Sequence, residues 1–161
     1  MKKIILFSVS LITLSSCDFP DPIPVEGCTD PLAINYNSNA DTDNNTCDFT
    51  ADILFYMNQN GGIFLFNQDV NSISFYVNGV FIGSQYNNGG FFTSEEAPLC
   101  FDEFFTTYSH YWSEDSYSTI TWQAIDEDGN VWYDNSVTVV ANECLTMELS
   151  AKKLLTYQVN N

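Results

Sequence analysis

The chain contains no arginine. Its four basic residues are all lysines, and Lys2 and Lys3 stand at its very start. Beyond residue 16, only Lys152 and Lys153 face the 21 acidic residues. Nucleic-acid binding needs basic groups to displace counterions from phosphate, so this balance excludes it. Docking on an anionic membrane through protein side chains is excluded for the same reason. There is one histidine, His110. Without a second, the usual zinc sites cannot be built. No GxSxG elbow is present to carry a serine nucleophile, and no glycine-rich phosphate loop or βαβ pattern occurs. No apolar run reaches the roughly 20 residues that a membrane-spanning helix requires. Long runs of Ala, Leu, Glu and Lys are also missing. What remains is rich in aromatic residues, at 16% of the chain, and in β-branched ones, a composition that favours sheet.

The first seventeen residues form a unit of their own. Lys2 and Lys3 precede the apolar stretch Ile4 to Leu14, and Leu14-Ser15-Ser16-Cys17 closes it. This resembles a bacterial lipoprotein signal: a charged start, an apolar centre too short to span, and small residues before a cysteine. The resemblance implies that residues 1–16 are removed and that Cys17 carries the acyl chains. A single chain anchors marginally, at about 0.8 kcal/mol per buried methylene, but two or three hold firmly. Residues 17–26 carry Pro20, Pro22 and Pro24. Proline fixes φ and removes a donor, so the segment is expected to be an extended tether. Asp18 and Asp21 resemble the signal that sends Bacteroidota lipoproteins to the cell exterior. In enteric bacteria an Asp at that place implies inner-membrane retention, so the destination depends on the host. The expected location is the outer membrane, at the cell surface or the periplasmic face.

Residues 27–49 run from Gly27-Cys28-Thr29-Asp30-Pro31 through Asn35-Tyr36-Asn37 to Cys47-Asp48-Phe49. They resemble a short module of Bacteroidota surface proteins, GCTDPxAxNYN…C, which is grouped with thrombospondin type 3-like calcium repeats. The chain departs from it at Asp43-Asn44-Asn45-Thr46, where a glycine and an acid are lost. A segment this short buries little, and Ala33, Ile34, Tyr36 and Ala40 are its expected packed residues. Asp41, Asp43 and Asn45 stand at alternate positions, as oxygen ligands do at the start of a calcium loop. The rest of that loop is absent, with Thr46 in the glycine position and no closing Glu. Calcium is the only cofactor that the sequence raises, and a plain structural loop is the reading set against it.

From Asp52 the pattern has period two, the signature of strands. Ile53 and Phe55 alternate with Leu54 and Tyr56. The apolar run Ile63 to Phe66 reads as a strand buried on both faces. Asn78-Gly79 marks a type I′ hairpin within Ser72 to Gln85, with Val77 opposite Val80, Tyr76 opposite Phe81 and Phe75 opposite Ile82. A second hairpin spans Thr119 to Tyr133, turning at residues 126–130, with Ile120, Trp122 and Ala124 on one face. Val137 and Val139 form a further strand, and Leu145, Met147 and Leu149 the last. The expected fold is all-β: a two-sheet immunoglobulin-like sandwich of about seven strands over residues 51–149, preceded by the small disulfide-stapled module. An enclosed barrel is the runner-up. Residues 150–161 read as a final strand or a tail.

Residues 51–149 also resemble a small β-sandwich domain of Bacteroidota lipoproteins, through Trp122-Gln123-Ala124-Ile125-Asp126, Gly129, Trp132 and Asn142-Glu143-Cys144. In that group a cysteine after a mid-domain proline accompanies one at the final strand, here Cys100 and Cys144. Once Cys17 is assigned to lipid, four cysteines allow three connectivities. The pairing Cys28–Cys47 with Cys100–Cys144 keeps each bridge inside one module.

No constellation points to a reaction, and the expectation is a protein that is not an enzyme. His110 reads as a loop residue. The carboxylate pairs Glu95-Glu96, Asp102-Glu103 and Glu114-Asp115 serve solubility, and Asp126, Asp128 and Asn130 are ordinary turn residues. The stretch from Phe101 to Tyr117 is different. It holds more aromatics than one buried face needs, and Tyr108, Tyr111 and Trp112 are read as a candidate ligand platform. Gly89-Gly90-Phe91-Phe92 is expected at the same edge. The expected function is a membrane-anchored lipoprotein acting as a non-enzymatic binding or structural module at the cell envelope. It would meet the membrane through its lipid, and a protein or a glycan as partner. The alternatives are a carbohydrate-binding accessory lipoprotein and a calcium-stabilised spacer.

Overall fold

A computed structural model describes residues 22–87 and 97–153. Cys17, Asp18 and Asp21, the Gly89–Phe92 stretch, Glu95-Glu96 and the end of the chain beyond Lys153 lie outside the described residues.

The chain begins with β1 (Glu26–Gly27) and β2 (Thr42–Asp43), a two-residue parallel pair. Cys28 and Cys47 are joined by a disulfide around this pair. So short a segment has no core of its own. Of the four residues expected to pack it, only Ala33 is buried, while Ile34 and Tyr36 are exposed and Ala40 is half-buried. The deficit is met from elsewhere. Cys28, Ala33 and Cys47 pack with Phe49 and with Ala141, more than ninety residues away in the chain, and Trp112 leans on the group. Hydrogen bonds fasten the seam: Ile34 N–H donates to the Asp48 carbonyl at 2.8 Å, and the Asn142 amide donates to the Leu32 carbonyl at 2.9 Å.

β3 (Asp48–Met57) starts directly after Cys47 and forms the middle of a three-stranded sheet. Its neighbours are β6 (Thr106–Ser113), antiparallel, and β9 (Cys144–Leu149), parallel. Every residue from Ile53 to Met57 is buried. Ala51, Ile53, Phe55 and Met57 face the main core. Leu54 and Tyr56 point the other way and are covered from outside. There Phe105 meets Tyr56 edge-on at 6.1 Å, and Cys100, bridged to Cys144, brings its Sγ to 3.8 Å from the Asp52 carbonyl. The second bridge thus holds the segment before β6 against the outer face of the sheet.

The opposing sheet has the order β5-β4-β7-β8, with β4 at Ser72–Val77, β5 at Val80–Tyr86, β7 at Tyr117–Asp126 and β8 at Val131–Val140. Asn78 and Gly79 both have positive φ, 48° and 77°, as the hairpin turn demands. The expected pairs Val77–Val80 and Tyr76–Phe81 are present, but Phe75 lies opposite Gly83 and not Ile82, because a bulge intervenes between Phe75 and Tyr76. Gly83 leaves room for Thr106 of β6, whose side chain occupies the space that a Cβ there would take. Val137 and Val139 do not form a separate strand. They continue β8, which remains paired with β7 across its polar middle, Asp134-Asn135-Ser136. Between the sheets Phe55 meets Phe75 and Trp122 with ring centroids 5.2 and 5.5 Å apart. The molecule is an all-β two-sheet sandwich, and seven of its strands build the two faces.

One expected strand is a helix. Ile63 to Phe66 lies in α1 (Gln59–Phe66). Asn58 caps it, its side chain accepting the Gly61 N–H at 2.7 Å and donating to Glu148 at 2.6 Å. Gly61 sits against the Leu149 carbonyl so closely that a Cβ would collide with it. A four-residue apolar run does not distinguish strand from helix by periodicity, and here the cap decides.

Candidate functional site

Strand alternation sorts the aromatics of β6. Tyr108, His110 and Trp112 share its inward face, with the His110 and Trp112 rings stacked at 5.2 Å and Tyr108 at 6.2 Å from His110. Trp112 also stacks on Phe49, its partner across the strands, at 6.0 Å. Tyr111 points outward and is 66% exposed. The three residues of the expected platform therefore divide. Tyr111 and Trp112 meet at one depression, whereas Tyr108 packs against the main core.

His110 is no loop residue. It lies within β6, is buried, and has its Nε2 3.2 Å from the Ser118 hydroxyl. Burial lowers its pKa, since a desolvated imidazolium is disfavoured.

The depression measures about 290 Å³ and is lined by Ile34, Asp48, Tyr111, Trp112 and Ser113. It lies where the small stapled segment meets β3 and β6. On the outward face of this strand pair, serines of β6 lie opposite aspartates of β3. Ser113 donates to Asp48 at 2.7 Å, and Ser109 donates to Asp52 at 2.6 Å. Tyr111 stands between them, opposite Thr50. The second Asp48 oxygen accepts from the Asn35 amide at 3.3 Å. Trp112 donates its indole N–H to the Asp115 carbonyl at 2.7 Å. Nothing in the local sequence marks Ile34, Asp48 or Ser113 as site residues. Only the Ser-x-Tyr-x-Ser spacing of β6 hints at them, and the facing aspartates depend on a register that sequence does not reveal.

The carboxylates of the calcium-like segment are turned to local donors. Asp41 accepts from the Val25 N–H at 3.0 Å, and Asp43 accepts from the Asn45 N–H at 2.9 Å and the Thr29 hydroxyl at 3.3 Å. Asn45 has a positive φ of 57°. Among the described residues no three His, Cys, Asp or Glu side chains gather as a metal site would need. In the turn at residues 126–130, Asp126 is buried and accepts from the N–H groups of Asp128 and Asn130, the Asn130 amide and the Trp132 indole. Burial acts to raise its pKa, but these bonds outweigh that and leave it lowered. Glu127 reaches back to the start of β4. The Asn71 N–H above all, with Glu127's own N–H, the Asn71 amide and the Ser72 N–H, holds its pKa down at about 2.

No family model and no curated protein matches the chain. Among solved structures it is similar to one described as "Structures of Clostridium thermocellum CbhA fibronectin(III)-like modules". The identity is 18% and the TM-score 0.23, over 47% of this chain and 64% of that one, so this chain spans under two thirds of that chain's length. The sandwich fold rests on the strand order set out above.

Proposed function

We propose that the protein is a lipoprotein anchored through Cys17, whose sandwich acts as a non-enzymatic binding or structural module at the outer membrane. The observation that carries this reading is the cysteine arrangement. All four cysteines beyond Cys17 are bridged, a pattern of oxidising compartments outside the cytoplasm. One cysteine is left over, and it stands where a lipidation signal would place it. The packing of His110 supports a role without catalysis, because its ring is stacked within the strand and, among the described residues, its Nε2 meets the Ser118 hydroxyl.

Labelling with radioactive palmitate tests the anchor. Label on the natural chain and none on Cys17→Ala is expected, and label retained by Cys17→Ala overturns it. A carbohydrate-binding accessory role would use the same Tyr111 and Trp112, so the occupant of the depression separates it from protein binding.

A further inference from the structure

The groups around the depression have a marked bias. Among the described residues that line it, the side-chain donors other than the Tyr111 hydroxyl are already committed, Ser113 to Asp48 and Trp112 to the Asp115 carbonyl, and the neighbouring Asn35 amide is bound to Asp48 and the Thr46 carbonyl. The acceptors are not exhausted. Each Asp48 oxygen takes one hydrogen bond and a carboxylate oxygen has room for two. Asp52 adds a second carboxylate on the far side of Tyr111. A sugar presents hydroxyls that must both donate and accept, and here little is left to donate to it. A cation only donates, and it also gains from an aromatic ring close by. The whole chain adds to this preference, with a formal net charge of −17 and no arginine of its own.

We propose that this depression takes an arginine or lysine side chain from a basic partner protein. The charged head would lie against the exposed Tyr111 ring and bond to Asp48, while its methylene stem rests on Ile34 and the edge of Trp112. This assigns a partner class to the binding-module reading and rests on it.

The test uses the full chain carrying Cys17→Ala, so that its outcome is independent of lipidation. The probe is an acetylated, amidated tetra-arginine peptide, titrated by calorimetry beside a glycan array. Tyr111→Ala removes no charge and alters an exposed residue, and Asp48→Asn preserves shape. Asp128→Asn removes the same charge as Asp48→Asn but lies in the turn at the far end of β7. Tyr111→Ala and Asp48→Asn should each weaken binding about fivefold or more, and Asp128→Asn less than about twofold, because its field is screened over that distance. Equal losses for Asp48→Asn and Asp128→Asn, with Tyr111→Ala unaffected, would mean general attraction to an acidic surface and would overturn the site. Binding of a neutral oligosaccharide that Tyr111→Ala abolishes, with the peptide unaffected, would overturn the cationic occupant. Absence of palmitate on the natural chain would defeat the anchor alone.

Discussion

Glu127 shows how much one exposed carboxylate organises. It ties the β7–β8 turn to the start of β4 through Asn71 and Ser72. Its pKa falls from an ordinary 4.5 to about 2 in the folded chain. The unfolded chain therefore takes up the proton first as the medium is acidified. The stabilisation is complete above pH 4.5 and is lost as pH falls toward 2. Urea midpoints for the natural chain and Glu127→Gln should differ at neutral pH and converge across that window. A constant difference would show that the shift does not act on stability. The turn itself is legible in Asp126-Glu127-Asp128-Gly129-Asn130, since these residues favour turns. The partner of Glu127 is not, because Asn71 lies more than fifty residues away and meets it only through strand pairing. Asp48 and Ser113 were hidden for the same reason: each is unremarkable until β3 and β6 are aligned.

At the scale of elements, legibility followed the burial of one face. β4 and β7 have a dry face and a wet one, and their alternation announces them. β3 is buried on both faces only from Ile53 to Met57, and there the contrast between its faces is lost. α1 escapes the periodic pattern because its signals are a cap and a close contact. Asn58→Ala removes both the Gly61 hydrogen bond and the donor to Glu148. It should cost about 1–2 kcal/mol, measured by urea denaturation. A cost near zero would mean that packing of Leu65 alone holds the helix. The bulge at Phe75 and Tyr76 was equally invisible, since Asn78-Gly79 sets the turn and does not foretell a slip further along the strand.

At the scale of the molecule, the two bridges do different work. Cys28–Cys47 closes the small segment, with a separation of 19 residues, and Cys100–Cys144 closes a loop of 44 while pinning the cover over Leu54 and Tyr56. Replacing Cys100 and Cys144 together by serine should lower stability by about 4 kcal/mol, as the longer loop regains its freedom when unfolded. Calorimetric or urea unfolding of the double variant checks this, and a loss below about 1 kcal/mol would place the cover loop's hold in packing and not in the bridge. The two-sheet design is readable from strand pattern, whereas the cysteine count leaves three connectivities and only the division into modules selects the pairing observed. The way the small segment completes its core with Ala141 and Trp112 is not readable, since no local pattern marks a residue that packs at such a separation.

The parallel pairing of β3 with β9 has a consequence in time. A chain emerging N-terminus first presents its central strand well before that strand's second neighbour and the seam residue Ala141, both of which follow only after more than eighty further residues. Vectorial emergence therefore leaves the most apolar strand and a half-built seam waiting for β9. Contacts of such long range make closure slow and a late, concerted event. In that interval the newborn chain depends on whatever shields it.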